Sequence, residues 1–349
     1  MNNGVINSDK KYVIISGFWN RILAFLIDGV ILSFVGLILG KSAFDFLARL
    51  GGWGCLLGFC MALFYFGLLN SYLGKGQTIG KRIVKIKVID RYGKEISIGR
   101  SFVRYALLGA PFFFNQAVIP QSAALTPMGY PVCFIIFGIG GAIIYLYIFN
   151  RKTRQSLHDL VVGTFVVKAP NAAPVRFTSI WRGHLKAIGV WSVLVICFSI
   201  LSPILSNQGL FLEMLEVQKQ IQSTGQVHAA TTIVGKKQII GNEENTFFQA
   251  HAIWKNRLND PDAAAAEVAC IVLSEYRDIM KKDFLIITVS YGYDIGISRA
   301  WTSYHVRHTP EEWIEILKHK NICNRSRFTV ISLRFEKPKN FKIYSQNSY

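Results

Sequence analysis

The stretch ILAFLIDGVILSFVGLILG, from Ile22 to Gly40, decides the fold of this chain. It contains 13 Leu, Ile, Val and Phe residues and a single charge, Asp28. On membrane-insertion scales each of these apolar residues contributes about −0.3 to −0.6 kcal/mol, whereas a central aspartate costs about 2.5 to 3.5 kcal/mol. The apolar total exceeds that cost. The sequence therefore predicts a first transmembrane helix here, with one acidic side chain inside the membrane.

Four further apolar runs follow within the first 205 residues: Trp53–Leu73, Val103–Ile119, Pro131–Phe149 and Ala187–Leu205. They account for a composition that is 51% hydrophobic and only 17% charged, with a mean hydropathy of +0.30. Pro111, Asn115 and Gln116 interrupt the run that starts at Val103. Both a crossing and a re-entrant path therefore remain open for that segment. We predict an α-helical polytopic membrane bundle of about five spans.

Basic residues are concentrated beside the apolar runs. Residues 1–205 carry 21 Lys and Arg against 6 Asp and Glu, which is +15 of the total net charge of +18. Two segments hold most of them, Gly74–Arg104 and Arg151–Lys186, and the positive-inside rule places both in the cytoplasm. The N-terminus is then cytoplasmic, and five spans place the C-terminal domain outside. The pattern indicates a lipid bilayer as partner rather than a nucleic acid.

A strand pattern separates the second and third apolar runs. Arg82–Asp90 is rich in β-branched residues, Arg91–Lys94 reads as a turn, and Glu95–Ile98 resumes the pattern. We therefore predict a small cytoplasmic β-hairpin, to which Gly163–Lys168 could add a third strand.

Beyond the membrane part (1–170) and a linker with the fifth helix (171–205), residues 206–349 read as a soluble α+β domain. Asp260 before Pro261 predicts the start of one helix, and Thr309 before Glu312 predicts the start of another. Three apolar runs are expected to be strands: Phe284–Tyr293, Ile295–His305 and Phe328–Phe335.

Of the six cysteines, only Cys270 and Cys323 belong to the C-terminal domain. They can form one disulfide if that domain is extracytoplasmic. The other four lie in apolar runs, where cysteine behaves as a small hydrophobic residue. No spacing of His, Cys and carboxylates indicates a metal site, and no Ser/His/Asp or Cys/His arrangement indicates catalysis. We therefore expect no cofactor and no enzyme activity.

Three ordered motifs resemble the RDD family of bacterial membrane proteins, which is named for one Arg and two Asp. They are Gly17-Phe-Trp-Asn-Arg21 continuing to Asp28, Gln77-Thr-Ile-Gly-Lys-Arg82, and Arg154-Gln-Ser-Leu-His158-Asp159 continuing to Gly163 and Thr164. The resemblance covers about residues 17–168 and leaves the C-terminal domain unassigned. It identifies Arg21, Asp28 and Asp159 as the name residues, and Thr78, Gly80, Lys81, Arg82, Gly163 and Thr164 as motif residues on the cytoplasmic side.

The resemblance implies a protein of the bacterial cytoplasmic membrane with a role in transport, including cation/proton exchange. Arg21 and Asp28 are seven residues apart, so both lie on one helix face, about 10.5 Å apart along the axis. Asp28 could bind a proton or a monovalent cation, Arg21 could tune its pKa, and His158 could relay protons near neutral pH. The structural alternatives are that Asp28 bonds a neighbouring helix, Arg21 reaches lipid phosphates, His158 lies in an exposed turn and Asp159 caps a turn.

Two functions remain open from the sequence. In the first, the protein transports small cations or proton-coupled solutes, with Asp28 as the intramembrane group. Five spans are few for a monomeric carrier, so we expect a homo-oligomer; Gly36-x-x-x-Gly40 and Gly138-Ile-Gly-Gly141 offer close-packing surfaces for it. In the second, the membrane part is an anchor or assembly module, and the extracytoplasmic domain binds a ligand or partner.

Overall fold

The computed structural model describes residues 14–116, 129–169, 179–206, 209–238, 244–320 and 322–335. Two predicted segments lie mainly outside these ranges: the loop Pro120–Tyr130 and the first part of the linker that begins at residue 171. The chain forms two compact units. The first comprises Met1–Ile119, Ala123–Ile204 and Tyr293–Ala300; the second comprises Pro120–Ser122, Leu205–Gly292 and Trp301–Tyr349. The predicted fold class, a helical membrane bundle followed by an α+β domain, is confirmed.

Helices dominate the first unit. They are α1 (Phe18–Ser42), α2 (Phe44–Leu50), α3 (Gly54–Leu69), α4 (Ile79–Ile83), α5 (Ile98–Gln116), α6 (Gly129–Phe149), α7 (Leu157–Val162) and α8 (Arg182–Ser206). Four segments in the described part of the chain are long and apolar enough to cross a membrane: α1, α2 with α3, α6, and α8. The protein is therefore a multi-pass membrane protein.

Helix α5 corresponds to the interrupted third run and is not among those four segments. It nevertheless lies beside α3 along most of its length. Near its start, the Ser101 hydroxyl donates to the Phe66 carbonyl at 3.3 Å, and near its end the rings of Phe113 and Phe59 are 5.5 Å apart. The helix therefore runs antiparallel to α3 and contains Pro111 without ending there. The last predicted residues of this run, 117–119, lie outside the described ranges.

A small two-stranded sheet is present, but its pairing differs from the predicted hairpin. Strand β1 (Ile86–Asp90) pairs antiparallel with β2 (Thr164–Lys168), and residues 95–98 do not pair with β1. Asp90 accepts hydrogen bonds from the backbone N–H groups of Tyr92 and Lys94, which closes the turn. The chain then enters α5 at Ile98, and the partner of β1 is instead the segment after α7. The prediction that Gly163–Lys168 adds a strand is confirmed.

The small-residue surfaces expected to serve a homo-oligomer are occupied within the first unit. A Cβ on Gly36 would lie 2.7 Å from Ser298 Cβ, and one on Gly40 would lie 1.7 Å from the Tyr293 hydroxyl, both in the turn Tyr293–Ala300. A Cβ on Gly141 would lie 2.4 Å from the Trp191 ring nitrogen on α8. Gly36, Gly40 and Gly141 therefore permit close packing inside the chain, and the homo-oligomer stays a prediction.

The second unit packs helices against one sheet. Its elements are α9 (Gly209–Ser223), β3 (Val227–Gln238), β4 (Glu244–Trp254), α10 (Pro261–Glu275), β5 (Phe284–Asp294), β6 (Arg299–His308), α11 (Pro310–Lys320) and α12 (Arg325–Phe335). The last two residues of β5 and the first two of β6 belong to the first unit. The strands lie in the order β3-β4-β5-β6, with β3 antiparallel and β5 parallel to β4. The almost fully buried helix α10 lies in the core, and the pair Cys270–Cys323 forms a disulfide.

The prediction of a strand over Phe328–Phe335 is wrong, because these residues belong to α12. The side chain of Asn324 accepts a hydrogen bond from the backbone N–H of Arg327 at 3.0 Å, which starts the helix. The two capping predictions hold. Asp260 accepts from the N–H of Ala263 at 2.9 Å, and Thr309 and Glu312 exchange side-chain to backbone hydrogen bonds.

Candidate functional site

Asp159 lies at the centre of a buried ion-pair network at the start of α7. Its Oδ1 accepts hydrogen bonds from Arg104 Nε at 2.9 Å, Arg104 Nη2 at 2.7 Å and Thr164 Oγ1 at 3.0 Å. Asp159 also forms a capping box with Ser156. Burial alone would raise the pKa of Asp159, but the charge of Arg104, with Arg21 and His158, holds it well below its ordinary value. The carboxylate is therefore ionised at neutral pH and links α5, α7 and β2.

Arg21 enters this network from the first turn of α1. Its Nη1 lies 3.5 Å from Asp159 Oδ2 and donates to the carbonyl oxygen of Arg154, and its Nη2 donates to the carbonyl of Val166 at 3.3 Å. The side chain is 7% exposed, and among the described residues its Nε has no hydrogen-bond partner. Arg21 therefore pairs with Asp159 rather than with Asp28, the residue whose pKa it was expected to tune.

Asp28 is fully buried and holds the second motif, Gln77–Arg82, against α1. Its Oδ1 accepts hydrogen bonds from the Tyr65 hydroxyl and the Gly80 N–H, both at 2.7 Å, and its Oδ2 accepts from the Thr78 hydroxyl at 2.6 Å. Thr78 is also the N-cap of α4. A carboxylate offers about four acceptor positions, so three are in use. The arrangement matches the structural alternative, in which Asp28 bonds neighbouring segments.

Gly80, the glycine of the second motif, lies too close to α1 to carry a Cβ. A Cβ on Gly80 would lie 2.2 Å from the carbonyl oxygen of Ala24 and 2.9 Å from Asp28 Oδ1. Only glycine lets the backbone of α4 approach α1 this closely. The other motif residues support the same region: Arg82 reaches the carbonyl of Gly74 at 3.4 Å, and Gly163 ends α7 in the left-handed conformation.

His158 is buried beside Asp159, with its Nε2 3.6 Å from Asp159 Oδ2. Burial lowers the pKa of His158 to about 3, and the neighbouring carboxylate only partly offsets this. The imidazole is therefore neutral at physiological pH. This argues against the predicted proton relay near neutral pH and against an exposed turn.

Lys81 is the group in this region with a pKa near neutrality. Its ammonium donates to the side-chain carbonyl of Asn70. Burial lowers the pKa of Lys81 to about 7, and the charge of Arg104 acts in the same direction. Desolvation and neighbouring positive charges can bring the pKa of a lysine down to neutral pH. The sequence marked Lys81 as a motif residue but gave no reason to expect that it titrates.

These residues surround one cavity of about 200 Å³. Its charged lining residues are Arg21, Asp28, Lys81, Arg104 and Asp159. Three basic groups thus face two carboxylates, and both carboxylates are already hydrogen-bonded. No group of three or more His, Cys, Asp and Glu residues in the described ranges could hold a metal ion. The cavity therefore fits a small neutral or anionic species, or water, better than a cation.

Arg104, Tyr65 and Asn70 are site residues that sequence reasoning missed. Arg104 was counted only as a cytoplasmic loop charge, although it lies one helical turn after Arg100 at the start of an apolar run. A basic residue on an otherwise apolar helix requires a buried acidic partner, which is the signal that could have identified it. Tyr65 and Asn70 carry no such local signal.

Comparison with known proteins agrees with this arrangement. Residues 15–163 match the RDD family, and no family matches the C-terminal region. The chain is 26% identical over 159 residues to the uncharacterized protein YckC of Bacillus subtilis, covering 44% of this chain and 85% of that protein. It is 27% identical over 173 residues to the uncharacterized protein YxaI of the same organism, covering 44% of this chain and 96% of that protein. No solved structure matches the chain.

Proposed function

We propose that the membrane unit, whose residues 15–163 match the RDD family, is a proton-coupled carrier of a small solute. The observation that carries the proposal is a charge-lined cavity that contains a lysine with a pKa of about 7. A group that is half-protonated at neutral pH can bind and release one proton per transport cycle.

Two cavities separated by an apolar barrier support the carrier proposal. Along α1, Asp28 lines the inner cavity, Leu32 belongs to a buried apolar cluster, and Leu37 lines an outer cavity. The same order recurs on α5. Arg104 lines the inner cavity, Phe113 belongs to the cluster, and residues at the end of the helix line the outer cavity. The full cluster consists of Leu32, Ala62, Phe66, Tyr105 and Phe113. Alternating access requires such a closed barrier on one side of a binding site.

The lining of the inner cavity indicates the kind of solute. A volume of about 200 Å³ admits only a small molecule or ion. When Lys81 is protonated, the charged lining carries one more positive than negative group, so a cation is disfavoured there. We therefore assign proton exchange to Lys81 and a positioning role to Asp28, and we favour a proton-coupled solute over a small cation.

Replacing Lys81 with glutamine should abolish coupling. In everted membrane vesicles, the full-length protein should change the transmembrane pH difference after addition of NaCl, KCl or potassium phosphate. The response should depend on the anion and not on the cation, with a pH profile centred near 7. Lys81→Gln should reduce this signal to background at every pH, because the side chain no longer carries a proton. Acridine orange fluorescence measures the pH difference.

The matched control is Lys94→Gln, since Lys94 is exposed on the turn after β1. It should leave the signal unchanged. A Lys81→Gln variant of normal abundance that retains the pH profile would contradict the assignment. An Asp28→Asn variant of normal abundance with unchanged exchange would exclude Asp28 from ion binding.

A second candidate function is an anchor that presents the C-terminal domain outside the cell. The observation that favours it is the disulfide Cys270–Cys323 in a unit with its own core, since disulfides persist in oxidising compartments. An external domain needs an odd number of crossings from a cytoplasmic N-terminus. The four most apolar segments would leave it inside, so α5 must supply the fifth crossing.

Cysteine labelling should place residue 219 outside and residue 91 inside. The background variant replaces Cys55, Cys60, Cys133 and Cys197 with serine and retains the disulfide. Lys219 and Arg91 are both exposed, so Lys219→Cys and Arg91→Cys provide matched positions. In intact spheroplasts a membrane-impermeant maleimide should label only Lys219→Cys. Labelling of this position only after permeabilisation would require an even number of crossings.

A further inference from the structure

A second cavity in the membrane unit adjoins the carrier site and shares Arg21 and Tyr147 with it. It has a volume of about 390 Å³, within the range of about 300 to 1,000 Å³ that is typical of small-molecule sites. Its lining comes from the first turn of α1, the end of α6 and the turn that follows α6. The lining residues include Arg21, Arg151 and Arg154 and no acidic residue. Its charge is therefore uniformly positive.

The arginines of this cavity have capacity to bind an anion. No carboxylate in the described ranges pairs with Arg151 or Arg154, and both are exposed. Arg21, although more than nine-tenths buried, retains a buried Nε without a hydrogen-bond partner among the described residues. Guanidinium groups bind phosphate oxygens through two parallel hydrogen bonds, which a point charge cannot do.

The turn that carries these arginines is fixed by its own hydrogen bonds. The side-chain amide of Asn150 donates to Thr153 Oγ1 at 2.6 Å and to the carbonyl of Gln155 at 2.9 Å. The backbone N–H of Arg154 donates to the carbonyl of Asn150 at 3.0 Å, and the carbonyl of Arg154 accepts from Arg21. The backbone positions of the basic groups are therefore set before any ligand binds, which lowers the entropy cost of binding.

The apolar part of the lining indicates that the anion comes from a lipid. Phe18 and Tyr147 line the cavity with their ring centroids 5.1 Å apart, and Ile148 lines it while remaining 48% exposed on α6. Trp19, next to the cavity on α1, is 76% exposed, as expected for a side chain at a membrane interface. The basic wall thus adjoins a surface that faces acyl chains and headgroups.

We propose that this cavity binds the headgroup phosphate of an anionic phospholipid, with Arg151 and Arg154 as the main ligands and Arg21 as the inner wall. Basic recesses between the ends of transmembrane helices are suited to such headgroups. Arg21 also contacts Asp159, so the same side chain would connect a bound headgroup to the carrier site. The lipid site is independent of the carrier proposal, since it requires no transport.

Native mass spectrometry of the detergent-purified full-length protein tests this site. Phosphatidylglycerol should bind more tightly than phosphatidylcholine, and the double variant R151Q/R154Q should bind it about ten- to thirty-fold more weakly, as expected for the loss of two guanidinium groups near a membrane surface. Lys152→Gln is the matched control, because Lys152 is the exposed neighbour that does not line the cavity. It should bind phosphatidylglycerol as the unmodified protein does.

Two additions keep the test decisive. Arg151→Gln alone, at an exposed side chain, should bind phosphatidylglycerol several-fold more weakly. This single variant replaces the double variant in the test if the double variant does not elute as a folded species. Inorganic phosphate is added as a competitor. If millimolar phosphate displaces phosphatidylglycerol completely, the site is one for soluble phosphate and the lipid assignment is overturned. Equal losses in Lys152→Gln and the double variant, or no preference for phosphatidylglycerol, also overturn it.

Discussion

Replacing Asp159 with asparagine should remove most of the folded membrane unit. Arg104 and Arg21 are 5% and 7% exposed, and Asp159 is the acid that pairs with both. Asparagine has nearly the same shape but no charge, so two buried guanidinium groups would lose their counter-ion. Removing one partner of a buried ion pair costs about 3 to 5 kcal/mol, because the remaining charge stays desolvated. Total stabilities are only about 5 to 15 kcal/mol, so this is a large fraction.

Fluorescence-detected size exclusion after heating measures this effect. Asp159→Asn should give a low yield of monodisperse protein and a clearly lower melting temperature. Glu95→Gln is the control, since Glu95 makes a partly exposed pair with Lys87 at 3.9 Å and should change little. Equal melting temperatures for Asp159→Asn and the unmodified protein would show that the network does not stabilise the fold.

Replacing Gly80 with alanine should displace α4 from α1. The new Cβ would meet the carbonyl oxygen of Ala24 at 2.2 Å, and a helix backbone cannot move aside as a flexible side chain can. Overpacking of this kind typically costs about 1 to 3 kcal/mol. The displacement would also break the Gly80 N–H bond to Asp28, a hydrogen bond to a charged group worth about 1.5 to 3 kcal/mol.

The comparison for this substitution is Gly99→Ala. Gly99 lies in the first turn of α5, and a Cβ there would have nothing within 4 Å. Alanine favours a helix over glycine by about 1 kcal/mol, so this variant should be neutral or slightly more stable. Thermal melts of both variants in the same detergent measure the difference. If Gly80→Ala and Gly99→Ala have the same melting temperature, the close approach of α4 to α1 is not required for stability.

The sequence predicts the membrane helices well, because the cost of an unsatisfied backbone in lipid leaves few alternatives to a long apolar helix. It also places Arg21 and Asp28 on one helix. It does not reveal that they have different partners, since Asp159 is 138 residues from Arg21 and Thr78 is 50 residues from Asp28. Only the packing of α5 and α7 brings Arg104 to the same carboxylate as Arg21.

Short apolar segments are where the sequence was insufficient. The run Phe328–Phe335 fits a strand by composition, but the preceding Asn324 starts a helix through it. Strand β1 was recognised, and Gly163–Lys168 was offered as a third strand, which corresponds to β2. The error was the hairpin partner, because residues 95–98 were paired with β1. In both cases the local pattern permits two structures, and a cap or a distant contact selects one.

The capping box at Ser156 and Asp159 has a consequence for synthesis of the protein. Asp28 can accept hydrogen bonds from Thr78 and Gly80 as soon as these residues leave the ribosome. Arg21 and Arg104 have no acidic partner until Asp159 is synthesised. The carboxylate that neutralises them is the same one that nucleates the six-residue helix α7. A nascent chain shorter than this point thus carries both arginines without their carboxylate. Incomplete and complete domains therefore differ in whether Arg21 and Arg104 have an acidic partner.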